Sequence, residues 1–155
     1  MLEKKLGYFL RKQHFVTLGT ANYEGCPHVS PKIFLKFKDK YLYLVDHIID
    51  SSYKNIKENR KVSISTFDMK EVKGFHIYGI ASVLKVGKEF EKLLGDWHKK
   101  QTQMTARSIS DNVSGKKNIR SLKLTFLKPI EIYKIKINRI DLISSEGVSV
   151  VEDIK

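Results

Sequence analysis

Cysteine occurs once, at Cys26, so the chain can form no intramolecular disulfide and no multi-cysteine zinc or iron–sulfur site. Long apolar runs are missing too. Nothing approaches the roughly 20 consecutive apolar residues that span a bilayer. The opening MLEKKLGYFLRKQH scatters charges among its apolar positions, unlike a secretory signal. These absences lead us to expect a soluble protein of a reducing, cytoplasmic compartment, with no membrane partner. Acidic residues are scarce, 17 against 29 basic ones, and the formal charge of +12 attracts anions. Its sign cannot choose among nucleic acid, anionic lipid and a phosphorylated small molecule.

Several chemistry-bearing motifs are also absent. There is no GxGxxG after a strand. Gly74 and Gly79 have the spacing of a P-loop, but Ile80-Ala81 follow where Lys and Ser/Thr are required. His14, His28, His47, His76 and His98 show no HExxH-type pairing and no accompanying carboxylate cluster, so no metal site is assigned. A GxSxG elbow is missing. Cys26 has no evident base and reads as an inert thiol. With neither a nucleic-acid motif nor a concentrated basic stripe, nucleic-acid binding is the weaker use of the charge.

What is present reads as one domain, residues 1–155, with a core from about 13 to 142. Leu2, Leu6, Phe9 and Leu10 recur at helical spacing. Phe15 to Thr20 and the run from Pro27 form a hairpin around Asn22-Tyr23-Glu24-Gly25. In the second strand Val29, Pro31, Ile33, Leu35 and Phe37 share one face, and His28, Ser30, Lys32, Phe34, Lys36 and Lys38 the other. Pro31 cannot donate to a ladder, which places it at an edge or a bulge. Tyr41 to Asp46 is a third strand, and Asp50 is a candidate N-cap for a helix over Ser51 to Asn59.

Val62 to Phe67 and Phe75 to Val86 are further strands, the latter bent at Gly79. Phe90, Leu93, Leu94, Trp97 and Met104 mark a helix face, a pattern that favours core packing for Trp97 over ligand stacking. Thr105 to Ser121 turns polar and reads as a mobile loop. Ile130 to Leu142 is strand-like with a phase change at Ile132-Tyr133 that predicts a bulge, and Val148, Val150 and Val151 suit a short final strand. His76 and Tyr78 suit interior or interface hydrogen bonds, and Lys99-Lys100 and Lys116-Lys117 read as solvated. Several short strands with two or three helices favour a mainly β fold, a small barrel with peripheral helices.

The segment from Leu44 to Ile56 places polar residues where a strand enters a helix. The first N–H groups of that helix lack internal partners and favour an anion such as phosphate. Ser51 and Ser52 would add hydroxyls and Lys32 a charge, against the plainer reading of capping by Asp50.

The stretches FVTLGTANYEGCPHVSPKIF, YLYLVDHIIDSSYKNIKENRKVSIS and FHIYGIASVL, in that order, resemble the pyridoxamine 5'-phosphate oxidase-like family of FMN-binding split barrels. The resemblance implies a six-stranded antiparallel split barrel holding FMN at a homodimer interface. By position it implies that Ser30, Pro31, Lys32 and Ile33 line the flavin and that Asp46 closes the third strand beside it. Ser51 and Ser52 fall where relatives often carry Lys-Thr or Arg-Lys on the phosphate, so the resemblance implies a departure at the charged position, and Lys32 is the candidate to compensate. Arg60 stands where relatives have proline. The ending SSEGVSVVEDIK lacks the arginine and histidine that hold the vitamin substrate in the true oxidase, which implies another substrate. The expected function is that of a small FMN-dependent oxidoreductase with FMN preferred over riboflavin. The alternatives are a non-catalytic basic barrel binding nucleic acid or another polyanion, or a split barrel holding haem or deazaflavin.

Overall fold

The computed structural model describes residues 2–48, 50–113 and 131–154, without the side chains of 108–113 and 149–151. The elements run α1 (Leu2–Lys12), β1 (Phe15–Ala21), β2 (Pro27–Lys38), β3 (Tyr41–Asp46), α2 (Ser51–Glu58), β4 (Lys61–Asp68), β5 (Lys73–Leu84), α3 (Lys88–Val113), β6 (Glu131–Ser144) and β7 (Gly147–Asp153). The antiparallel order is β3-β2-β1-β4-β5-β6-β7, and pairing of β3 with β6 closes the first six into a barrel. One edge of β6 serves two strands, because Glu131 to Lys136 pair with β3 and Arg139 to Ser144 pair with β7. The six-stranded antiparallel barrel with peripheral helices is as expected, and β7 extends it.

Turn chemistry sets the hairpins. Asn22 accepts the Cys26 amide at 2.8 Å, and Gly25 takes φ of 84°, a conformation open to glycine at little cost. Inside the barrel, Leu18, Leu42, Leu44, Ile64, Ile77 and Ile135 pack with Leu6 and Leu10 of α1, and Phe9 meets Phe75 edge-on at 5.1 Å. A second cluster lies between the barrel wall and α3, where Leu93 and Trp97 cover Ile33, Leu35, Val45 and Ile132. Trp97 is core, as its spacing indicated.

Three expectations change. Helix α3 continues through Thr105 to Val113, which reads as loop in sequence because that stretch of helix is largely polar; the remainder of 105–121 lies outside the described residues. No register shift occurs at Ile132-Tyr133. Both residues are buried because opposite faces of β6 meet different clusters, and the shift comes at Asn138, opposite Tyr78-Gly79. Lys100 is not solvated: its ammonium bonds the Phe34 carbonyl and lies 4.8 Å from the Phe34 ring.

Pro31 sits at an edge, as expected. Pro27 to Lys32 register with β1 alone, because pairing with β3 begins at Ile33. The irregularity in β2 falls at Leu35, between Phe34 and Lys36.

Candidate functional site

The barrel interior is apolar through most of its length and polar at the end where α2 packs. Alternation along β2 turns Ser30, Lys32 and Phe34 inward, so Lys32 points into the barrel, not toward solvent, and is 2% exposed. Asp46 ends β3 directly opposite Glu131 of β6, a cross-strand pair of like charges that would repel if left alone. Three neighbours offset that repulsion. Lys32 Nζ donates to Asp46 Oδ2 at 2.6 Å, Tyr133 Oη lies 3.0 Å from the same oxygen and also bonds Glu131, and Lys85 Nζ reaches Glu131 Oε2 at 3.2 Å.

The Tyr133 hydroxyl carries one proton and faces two carboxylates, so it satisfies one by donation. Burial, then Glu131 and Asp46, push its pKa far above the usual range, and it stays a phenol at any working pH.

Helix α2 begins at the same corner. Asp50 is its N-cap in extended conformation, and Asp50 Oδ1 accepts the Ser52 amide at 2.7 Å. The other oxygen, Oδ2, accepts Lys32 Nζ at 2.7 Å, so one ammonium bridges two aspartates. Burial pushes the Asp50 carboxyl up, but Lys32 and the Ser52 bonds outweigh it and hold the group well below the usual carboxylate range. His28 Nε2 lies 3.7 Å from Asp50 Oδ2. Ser52 is fully buried against Ser30, Oγ to Oγ 3.0 Å, and Asn55 Nδ2 donates to Thr20 Oγ1 at 3.1 Å.

The structure therefore brings together four of the seven residues named from sequence: Ser30, Lys32, Asp46 and Ser52. Pro31 and Ser51 are exposed, and Ile33 lies in the cluster under α3. Glu131 and Tyr133 belong to the same corner but had no signal in the sequence, since only the β3–β6 register places them there. Arg60 also has a role that its position after a helix did not suggest. With Tyr53, Lys57 and Lys85 it lines a groove of about 440 Å³ between α2 and the end of β5, while its Nε donates to the Ala81 carbonyl at 3.0 Å.

A family model described as pyridoxamine 5'-phosphate oxidase matches residues 2–134. The chain belongs to the pyridoxamine 5'-phosphate oxidase family. Among solved structures it is similar to HupZ of Group A Streptococcus, at 18% identity and TM-score 0.68 over 97% of this chain and 99% of that one. It is also similar to an FMN-binding protein of Syntrophomonas wolfei, at 17% identity and TM-score 0.65, covering 92% and 86%. A pyridoxamine 5'-phosphate oxidase-related, FMN-binding protein of Nostoc punctiforme follows at 11% identity and TM-score 0.58, covering 99% and 94%. At such identities the likeness is one of fold. Among curated proteins no sequence matches.

Against this background, an FMN phosphate does not fit the start of α2 as the side chains stand. The amide of Ser52 already holds a carboxylate, Lys32 is divided between two carboxylates, and two lysines face three acids across the whole corner. A dianion placed there would meet the Asp50 carboxylate, which already takes the Ser52 amide and the Lys32 ammonium.

Proposed function

We propose that this member of the oxidase family is a flavin-binding redox protein, a small oxidoreductase acting on a substrate other than pyridoxamine phosphate. Family membership and the FMN-binding neighbours support the choice of flavin. The observation in this chain that carries it is the half-open β2. Beyond Ile33 toward its start, the strand has a partner on one side only, and it exposes Val29 and Pro31 there. A planar heteroaromatic ring has apolar faces and a rim of donors and acceptors, which suits an apolar surface beside an unpaired strand edge. When bound, the isoalloxazine supplies the electron transfer. The protein's part is to bind and orient it, and no side chain need act as nucleophile.

Residues 147–153 pair β7 with β6 and carry neither arginine nor histidine, so this strand offers no cation to the phosphate of pyridoxamine phosphate. No helix among the described residues is long and apolar enough to cross a membrane, and a cytoplasmic flavoprotein is the setting that the proposal assumes.

The visible spectrum of the purified full chain, before and after incubation with FMN, tests the reading. Bound flavin should show a structured band near the blue that bleaches on reduction. A chain that takes up no flavin sinks the proposal, and an intense porphyrin band in its place would transfer the site to haem.

A further inference from the structure

We infer that the corner formed by Lys32, Asp46, Asp50 and Ser52 excludes the phosphate of its ligand, because Asp50 occupies the anion position with a carboxylate of the chain's own. The inference rests on the flavin reading above and narrows it. The ligand is recognised through its ring and polyol portion, and a phosphorylated flavin gains nothing over riboflavin.

Three features of the site support this. A helix N-terminus attracts an anion through its unpaired amides, and here the Ser52 amide is spent on Asp50 Oδ1 at 2.7 Å. The nearest buried cation, Lys32, gives its ammonium to Asp50 Oδ2 at 2.7 Å and Asp46 Oδ2 at 2.6 Å. Asp50 thus receives both kinds of contact that a phosphate oxygen would require, an amide and an ammonium, and it remains at the site whether or not ligand is present. The serines do not alter the balance, since the Ser52 hydroxyl is turned to Ser30 and Ser51 is exposed. Of the ionisable groups nearby, His28 at 3.7 Å can add positive charge only when protonated, and Asp46 adds negative charge. Net positive charge on the whole molecule does not reverse this, because attraction at long range is screened beyond roughly 10 Å at moderate salt. The preference for FMN suggested by the bare sequence is therefore replaced by indifference.

The experiment titrates the full chain and two variants, Asp50→Asn and Asp50→Ser, with FMN and with riboflavin at pH 7.5 and about 0.15 M salt, where the net charge of the molecule is screened, following flavin fluorescence. Both replacements can still cap α2, so they remove charge without removing the cap. In parallel, calorimetry measures binding of inorganic phosphate to all three. The wild type should bind the two flavins within about threefold of each other and give no heat with millimolar phosphate, an interval too small for a charge-assisted contact. Each variant should prefer FMN by about tenfold or more and acquire phosphate binding. A wild type that already prefers FMN tenfold overturns the inference while leaving the flavin reading intact, as do folded variants that gain no preference. If no form binds either flavin, the flavin reading falls, and the phosphate titration decides alone: binding gained on loss of Asp50 upholds the exclusion, and no gain overturns it.

Discussion

Replacing Lys32 with methionine keeps much of the side chain's bulk and removes its charge, which leaves Asp46 and Asp50 without the ammonium that joins them. Breaking a buried pair from one side typically costs about 3–5 kcal/mol, because the remaining charge stays desolvated. Asp50 is one-fifth exposed and can recover some hydration, so the expected loss for Lys32→Met lies near the lower end of that range. Urea unfolding at pH 7 measures it; a loss under about 1 kcal/mol, the scale of an exposed pair, would contradict the burial of this network. Acid provides a second check. The folded pKa of Asp50 is depressed below the ordinary 3.8, so its stabilisation is present above that pH and is lost as pH falls through the folded value. The gap between wild type and Lys32→Met should accordingly narrow below about pH 4.

At Lys100 folding disfavours the charged form, where at Asp50 it favours it. Burial lowers its pKa from 10.5 to about 8, since its partner is a backbone carbonyl and no carboxylate accompanies the bond. Between those values the unfolded chain binds more protons than the folded one, and stability from this group rises with pH. Wild type measured against Lys100→Met from pH 7 to 10.5 should gain relative stability across the interval, most steeply above pH 8. A flat difference would place the ammonium in water.

At the scale of elements, the sequence was most readable where one periodicity met one environment. Tyr41 to Asp46 and the Asp50-capped helix were legible to within a residue, because alternation and capping are local. Strand β2 was legible as a strand and misleading about its faces. Val29 and Pro31 share a side with Ile33 and Leu35, but only the latter two lie under α3, so the same face is bare at one end and buried at the other. The polar face holding Ser30 and Lys32 looked like a ligand-facing surface, yet it points into a closed barrel. Nothing local distinguishes the two, since closure depends on β3 meeting β6 across a long separation in sequence. Glu131 and Tyr133 were illegible for the same reason.

Gly79 stood out in the sequence, and the structure places a register shift and a close backbone approach there that carry a prediction. A Cβ on Gly79 would strike the Lys136 carbonyl, a backbone atom that cannot rotate away, and would also meet the Ile135 side chain at 2.9 Å. The β5–β6 register shift adjoins this point. Overpacking of this kind costs about 1–3 kcal/mol. Gly79→Ala should fall at the upper end of that range, while Gly95→Ala, whose Cβ meets nothing within 4 Å in an exposed stretch of α3, should be neutral or gain a few tenths to 1 kcal/mol from helix propensity. Thermal unfolding of the two variants side by side separates clash from propensity.

At the scale of the whole molecule, closure of the barrel removes most strand edges but leaves the start of β2 uncovered on one side. Pro31 prevents that edge from simply adding another strand. Exposed Val29, 63% accessible, gives the same region an apolar character that a second copy of this chain would cover, and we propose a homodimer on these grounds. Light scattering at micromolar concentration should return twice the 18.0 kDa chain mass. Val29→Lys should return the single mass with an unchanged circular dichroism spectrum and weakened flavin binding, if the partner completes the ligand surface. Charge adds a condition that contact area alone would not suggest. Each chain carries a formal +12, so association brings together two strongly like-charged bodies, and their repulsion acts over distances that added salt shortens from roughly 30 Å at 0.01 M to 8 Å at 0.15 M. The dimer should therefore tighten as salt rises through that interval, as apolar burial is left to act against a weakened repulsion. Dissociation on adding salt would instead mean that complementary charges hold the interface and that Val29 is not at its centre, and a single-chain mass at every salt concentration would remove the dimer altogether.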